Sequence, residues 1–326
     1  MKNITVFTVF VIFFFTQSAF ARENTPGNYA FSLSPCFGMV YGHAEELVYP
    51  SDTIAPLLSE LLWDIKPVFY YGLLLDFSRT GPTEQIGFFS NLSVKFGIPR
   101  SSGKMEDRDW MSVENNALTH YSIHDNHTKE LFFLDFSAGV SFPLQQTLLL
   151  KTYVSFSYMH FRFSGKNGYG IYARGNPPDS GIFFPIDDNP NRETFSGKVI
   201  NYTQEWLTVA PGVSLGYYFL ENFFAEISFK ISPLVFCTDL DEHFTRDLQF
   251  RDYMQGGLFL EPGAALSFSC NSWIAVAFEF SWRYISGTKG QTYLREPIGT
   301  GKYTQAGTAG AGLSVINTGL FLKITL

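Results

Sequence analysis

The feature that most constrains this chain is a two-residue rhythm sustained over long runs. Between Leu134 and Phe142 the even positions (Leu134, Phe136, Ala138, Val140, Phe142) are apolar, and the residues between them (Asp135, Ser137, Gly139, Ser141) are small or polar. Side chains alternate faces only in a β-strand, so one face of this segment is greasy and the other is not. The rhythm returns in Leu207–Tyr217, in Ile274–Tyr284 and in the last residues, where Leu320, Leu322, Ile324 and Leu326 alternate with Phe321, Lys323 and Thr325. Hydrophobic residues make up 45% of the chain, with 35 Phe and 17 Tyr, a content that suits a membrane protein. Past residue 21, however, no uninterrupted apolar run reaches the roughly 18 residues that a membrane helix needs.

Alternation alone also fits a soluble sandwich, which buries one face and wets the other. Three features favour a barrel in lipid: the runs are long, aromatic residues gather at their ends, and the chain is marked for export. Met1 to Ala21 has a lysine at position 2, an apolar stretch from Ile4 to Phe15 and small residues at Ala19 and Ala21, the pattern of a cleaved signal peptide. In lipid the backbone must close its own hydrogen bonds, which an antiparallel barrel does. The net charge of −7 gives no basic face for phosphates and excludes nucleic acid as a partner. Cys36, Cys237 and Cys270 are odd in number and widely spaced, so they suggest neither a disulfide framework nor a metal site.

Ten runs carry the rhythm: residues 28–42, 58–77, 85–101, 129–143, 147–164, 201–219, 223–238, 248–270, 273–287 and 308–326. Short links alternate with long ones (43–57, 102–128, 165–200, 239–247, 288–307). The expectation is a ten-stranded antiparallel transmembrane β-barrel with long extracellular loops, a single domain over 22–326, set in the outer membrane of a Gram-negative-type bacterium. Ten strands leave little room for a channel once inner side chains are in place, which argues against a porin.

Parity then aims the acids. In the third run Leu92, Val94, Phe96 and Ile98 form the lipid set, so the opposite face carries Asn91, Ser93 and Lys95 and, continued in register, Asp107 and Asp109. Glu46 shares the inner face of Ser32, Ser34 and Cys36. In the seventh run the lipid set Ala225, Ile227, Phe229 and Ile231 has the parity of Asp239, Asp241 and His243, which would aim those groups outward. Pro233 cannot donate to a ladder, so a bulge is predicted between about Ser232 and Thr238, turning the acids inward.

With that bulge, acids and a histidine converge across the barrel mouth. Gly42-His-Ala-Glu-Glu46-Leu-Val-Tyr49, Met105-Glu-Asp-Arg-Asp-Trp-Met111, Asp241-Glu-His-Phe-Thr-Arg-Asp-Leu-Gln-Phe-Arg251 and Gly310-Ala-Gly-Leu313 together resemble the omptin family of outer-membrane endopeptidases. The resemblance runs in order over the whole mature chain. It implies that Asp107 and His243 hold an attacking water between them, that Asp109 faces the substrate, and that Asp241 holds and polarises the imidazole. It implies further that Glu46 and Asp239 form an acidic floor selecting Arg or Lys before the scissile bond. At the family's acidic position for the following residue this chain has His120. Tyr158, Arg162 and Arg251 match parts of the family's lipid A site, so outer-membrane lipid and lipopolysaccharide are implied as contacts and lipopolysaccharide as an activator. His160 stands there in place of an acid.

The chemistry is consistent with that implication. Hydrolysis by water needs a base working near neutral pH and a place for developing negative charge. Neither a GxSxG elbow nor HExxH is present, so serine and zinc mechanisms lack their motifs, and no metal or other cofactor is expected. A monomer acting on peptides or proteins with basic residues is the expectation. The rival class is a catalytically idle barrel serving as an adhesin or plasminogen-binding surface, which gives no reason to keep Asp107, Asp109, Asp241 and His243 together.

Overall fold

A computed structural model of the chain describes residues 28–50, 57–80, 86–112, 116–175, 182–186 and 192–326. The expected signal peptide, residues 1–21, lies outside them. Among the described residues the strands are β1 (Asn28–Tyr49), β2 (Ser59–Thr80), β3 (Gly87–Gly97), β4 (Arg100–Asp109), β5 (His120–Gln145), β6 (Leu148–Tyr172), β7 (Glu193–Thr194), β8 (Lys198–Phe219), β9 (Phe223–Ser232), β10 (Val235–His243), β11 (Leu248–Gln255), β12 (Leu258–Ser269), β13 (Ile274–Arg295) and β14 (Thr304–Thr325). Every pairing is antiparallel, and β1 closes against β14. Three ring positions hold two segments end to end, β3 with β4, β9 with β10 and β11 with β12, so the ring has ten places as the alternation predicts. The two-residue β7 pairs with the outer part of β6.

Lipid set the rhythm only where lipid is present. Large apolar side chains stand exposed on the outer wall from Tyr29 to Tyr41 of β1, from Tyr71 to Phe77 of β2, and from Ile274 to Trp282 of β13. Beyond that band the ladder continues: β1 runs to Tyr49, β5 starts at His120, and β6 reaches Tyr172. The alternation had ended these strands several residues early. Stretches such as His120–Thr128 are polar on both faces because water bathes one side and the mouth of the barrel the other, so no hydrophobic period survives to be read.

The lumen is filled. Trp63 stacks on Tyr202 with ring centroids 5.3 Å apart and on Phe163 at 5.6 Å, and Trp206, Phe161, Met105 and Met159 are buried around them. Toward the inner end Arg283 is paired with Asp135 (2.7 Å) and with Glu261, and Lys230 with Glu261 (2.7 Å). Buried ions of this sort persist because each finds a partner.

The predicted bulge after Ser232 is present and belongs to a wider device. Lys230 pairs with Gly212 and Val235 with Thr208, so the strand has one residue more than β8 between those points. Ser232 pairs with Phe259 and Phe236 with Gln255, so the next strand carries the same extra residue, at Gly256-Gly257, both with positive φ. On β13 the surplus is taken up between Ile285 and Thr288, around Gly287 (φ 75°). A Cβ on Gly257 would lie 2.3 Å from the Ser286 carbonyl oxygen, which is why these turns cross only with glycine. Three neighbouring strands thus switch faces at one level: Ile231 is 44% exposed to lipid, whereas Asp241 is 1% exposed inside.

Candidate active site

Above the aromatic plug, and outside the lipid-facing band, the walls bring six of the sequence-predicted residues to one mouth. Asp107 and Asp109 come from the end of β4, past a bulge at Gly103 (φ 108°) against β5. Ser59 of β2 donates to Asp107 Oδ1 at 3.3 Å. The end of β4 is pinned by Trp110 N–H donating to the Leu58 carbonyl (2.9 Å) and Met111 N–H to Thr119 Oγ1 (3.0 Å), while Thr119 Oγ1 donates to the Asp109 carbonyl (3.0 Å). Glu46 of β1 is 3% exposed and faces Asp241, Asp239, Asp252 and Asp107.

On the facing wall His243 Nε2 donates to Asp241 Oδ2 through a short hydrogen bond. Arg246, in the turn after β10, contacts the other ring nitrogen, Nδ1. The same guanidinium nitrogen lies 3.3 Å from Nε2, so it is the Asp241 carboxylate, accepting from Nε2, that in the neutral ring leaves the lone pair on Nδ1. Phe250 packs edge-on against the imidazole, centroids 5.6 Å apart. Asp239 is fixed from below by a relay: Trp206 Nε1 donates to Gln204 Oε1 (2.8 Å), Gln204 Nε2 to Tyr202 OH (3.0 Å), and Tyr202 OH to Asp239 Oδ2 (2.9 Å). Gln204 Nε2 also reaches the Glu45 carbonyl at 3.0 Å, tying β8 to β1 across the mouth.

Sequence reasoning missed Asp252, Arg246, Ser59 and Tyr202. Asp252 of β11 is 2% exposed, directly opposite Asp239 on β10 and Thr292 on β13. Taken as one run, 248–270 has its even positions in lipid (Leu258, Leu266 and Phe268 are exposed there), which would send Asp252 outward. The signal for the correct reading was Gly256-Gly257, to which the argument used for Pro233 applies equally.

So many carboxyls in one dry place cannot all ionise easily. Burial pushes Glu46, Asp107 and Asp239 well above the ordinary carboxyl range, and the neighbouring acids push further in the same direction. Burial also raises Asp109, with Ser59 and nearby cations opposing, and raises Asp252 to about 6. The folded barrel therefore binds more protons than the unfolded chain over this range. Stability is full below the ordinary carboxyl pKa values and is lost as pH rises through the raised ones. Asp252 alone, moved from 3.8 to about 6, contributes on the order of 3 kcal/mol to that loss. We predict a lower thermal midpoint at pH 8 than at pH 5, followed by the gel mobility of the folded barrel in detergent; an equal or higher midpoint at pH 8 would contradict it.

His120 sits at the rim beside Asp109, its ring against Phe183 (5.2 Å) and Tyr172 (5.6 Å), and burial lowers its pKa. On the outer wall Tyr158 OH donates to Glu205 Oε1 (2.6 Å), His160 lies between Glu205 and Glu130 (3.2 Å to each), and Arg162 is paired with Glu130 (3.0 Å). Arg251 is not with them. Arg162 pairs with Thr203, Thr203 with Leu240 and Leu240 with Arg251, three strand spacings or roughly 14 Å along the row. Its guanidinium lies instead over the Tyr303 ring, at 5.9 Å.

A closed barrel with a lipid-facing band and, above it, an acid pair opposed to an acid and imidazole pair belongs to a class, the barrel proteases of the outer membrane. The chain belongs to the omptin family, whose model matches residues 27–324. It is 26% identical to the plasminogen activator of Yersinia pestis over 291 residues, covering 87% of this chain and 85% of that one. Its fold is similar to that of the outer membrane protease OmpT from Escherichia coli, with a TM-score of 0.78 at 20% identity over 91% of this chain and 97% of that one.

Proposed function

We propose that this barrel is an endopeptidase that hydrolyses the bond after a basic residue, with a water activated between Asp107 and His243. The observation that carries the reading is the opposition of two inward-facing pairs, Asp107 with Asp109 on β4 and Asp241 with His243 on β10, at one mouth above the lipid band. Asp241 holds the imidazole by Nε2, leaving Nδ1 as the basic nitrogen. Arg246, which covers Nδ1, is exposed in a surface turn and swings aside as substrate and water enter. The water gives its proton to Nδ1 as it attacks the carbonyl carbon, and the imidazolium returns it to the departing amine. Asp107, opposite, accepts the water's second hydrogen and orients it. The mouth opens to the medium, and protein substrates are in keeping with the name of the Yersinia relative.

The basic side chain before the bond enters between Glu46 and Asp239, whose free oxygens Oε2 and Oδ1 are buried without a hydrogen-bond partner. A guanidinium supplies the donors those oxygens lack. After the bond, His120 removes the acid that would attract a second cation, so a neutral residue is accepted there.

In the same reading the outer wall meets lipopolysaccharide through Tyr158, Arg162 and Arg251, but Glu130 and Glu205 already answer the charge of Arg162 and His160. Exposed and compensated charges hold phosphates weakly, so dependence on this lipid should be slight. The test is cleavage of a quenched Arg peptide by the folded, monomeric barrel with and without lipopolysaccharide. We expect cleavage in both, with rates within about tenfold, equivalent to 1.4 kcal/mol of coupling. Absence of cleavage in every lipid would defeat the endopeptidase reading, and a far larger stimulation would restore a true anion site on the wall.

A further inference from the structure

Below the opposed pairs lies a cluster of buried acids larger than the two so far given a role. Asp252 lies directly opposite Asp239 across the β10–β11 ladder and opposite Thr292 on β13, and both carboxyls are buried. Four oxygens are left over, Glu46 Oε2, Asp239 Oδ1, Asp241 Oδ1 and Asp252 Oδ1, each buried and without a hydrogen-bond partner. Among the described residues none of Glu46, Asp239 and Asp252 takes part in a salt bridge, although the lower barrel pairs its acids carefully with Arg283 and Lys230. Buried acceptors of this kind are costly unless something arrives to fill them.

We propose that Asp252 is a third carboxylate of the pocket for the residue before the scissile bond, and that it sets arginine above lysine there. The proposal rests on the endopeptidase reading for the position of the scissile bond. Its own content is the shape of the acceptor set. Glu46 comes from β1, whereas Asp239 and Asp252 lie side by side on β10 and β11, so the acceptors stand on two walls. A guanidinium presents five N–H groups in a planar fork and can meet carboxylates on both walls at once. An ammonium is a compact point with three donors, which Glu46 and one aspartate already satisfy. An arriving guanidinium supplies charge-assisted hydrogen bonds to both aspartates.

The test compares wild type with Asp252→Asn, an isostere that can still hydrogen-bond Asp239, and with Asp252→Ser. Folding of each is established by heat-modifiable gel mobility. Paired peptides differing only in Arg or Lys before the bond are cleaved, and KM and kcat are determined separately. Binding of butylguanidinium and of pentylammonium to each barrel is measured by calorimetry, which needs no turnover. The expected result is a fall of about ten- to hundredfold in the Arg-over-Lys ratio of kcat/KM for both variants, located in KM, as loss of one charged hydrogen bond implies. Butylguanidinium should weaken to match while pentylammonium changes little. An unaltered ratio and unaltered butylguanidinium binding would overturn the proposal and leave Asp252 as a structural partner of Asp239. Equal losses for Arg and Lys peptides, carried by kcat, would overturn it too. Wild-type binding of butylguanidinium that depends on Asp252, in a barrel cleaving no peptide, would retain the pocket and reject the endopeptidase reading; absence of that binding would reject the pocket.

Discussion

Asp107→Asn and His243→Ala should each lower kcat on an Arg peptide by about a thousandfold, the contribution of a positioned acid or base to proton transfer. In the proposed mechanism the two groups hold one water between opposite walls, so either loss removes the function of both. The double variant should then be only slightly worse than either single one, as happens when residues act as a unit. Folding is a separate matter. Asp107 is a half-buried acid pushed above its ordinary range by desolvation and by Asp109, so an amide there relieves the mouth and leaves the barrel at least as stable. Steady-state kinetics beside gel mobility separate these effects. A folded Asp107→Asn barrel retaining a tenth of wild-type kcat would remove Asp107 from the chemistry.

The second large effect concerns choice of substrate. Glu46→Gln with Asp239→Asn leaves the walls and the dyads in place but removes the charge proposed to recognise a cation. Each charged hydrogen bond lost costs about ten- to hundredfold, so kcat/KM for the Arg peptide should fall by about a thousandfold. A peptide with citrulline at that position, isosteric but uncharged, should lose little, and the preference between the two should nearly vanish. Competition between the two peptides in one reaction reads the ratio directly. An Arg preference surviving intact in the double variant would place the specificity pocket elsewhere. The comparison with Asp252→Asn is informative: that change should disturb the choice between two cations, whereas this one should abolish the preference for a cation.

The part of this architecture legible in the residues is the part on which lipid acts. Phe136, Val140, Ile227 and Phe280 alternate because a hydrocarbon phase outside and a packed lumen inside force them to, and parity carried from that band aims Glu46 inward. It reaches Asp107 and Asp109 only because the break between β3 and β4 and the bulge at Gly103 cancel, with Lys95, Ser102 and Met105 all buried. Pro233 announced its bulge because a residue without an N–H cannot sit quietly in a ladder. Gly256-Gly257 and Gly287 announce theirs less loudly, since glycine is tolerated in strands for several reasons, and so the direction of Asp252 was lost. The strand ends were illegible where both faces meet water. The pairing of Arg162 with Glu130 was invisible for a different reason, because the two residues lie 32 positions apart and only the β5–β6 register makes them neighbours.

The row of extra residues at Pro233, Gly256-Gly257 and Gly287 acts as a frameshift written in side-chain direction instead of codons. Below it, one parity of β9, β12 and β13 is committed to the bilayer and cannot drift without unseating the barrel. Above it, the same parity faces the lumen, and the constraint from lipid has no hold on it. The anchor and the mouth are thereby composed in separate frames of a shared backbone. Under the proposed function, a change at Asp239, Asp252 or Thr292 can alter the choice of peptide while the membrane contract beneath stays unaltered.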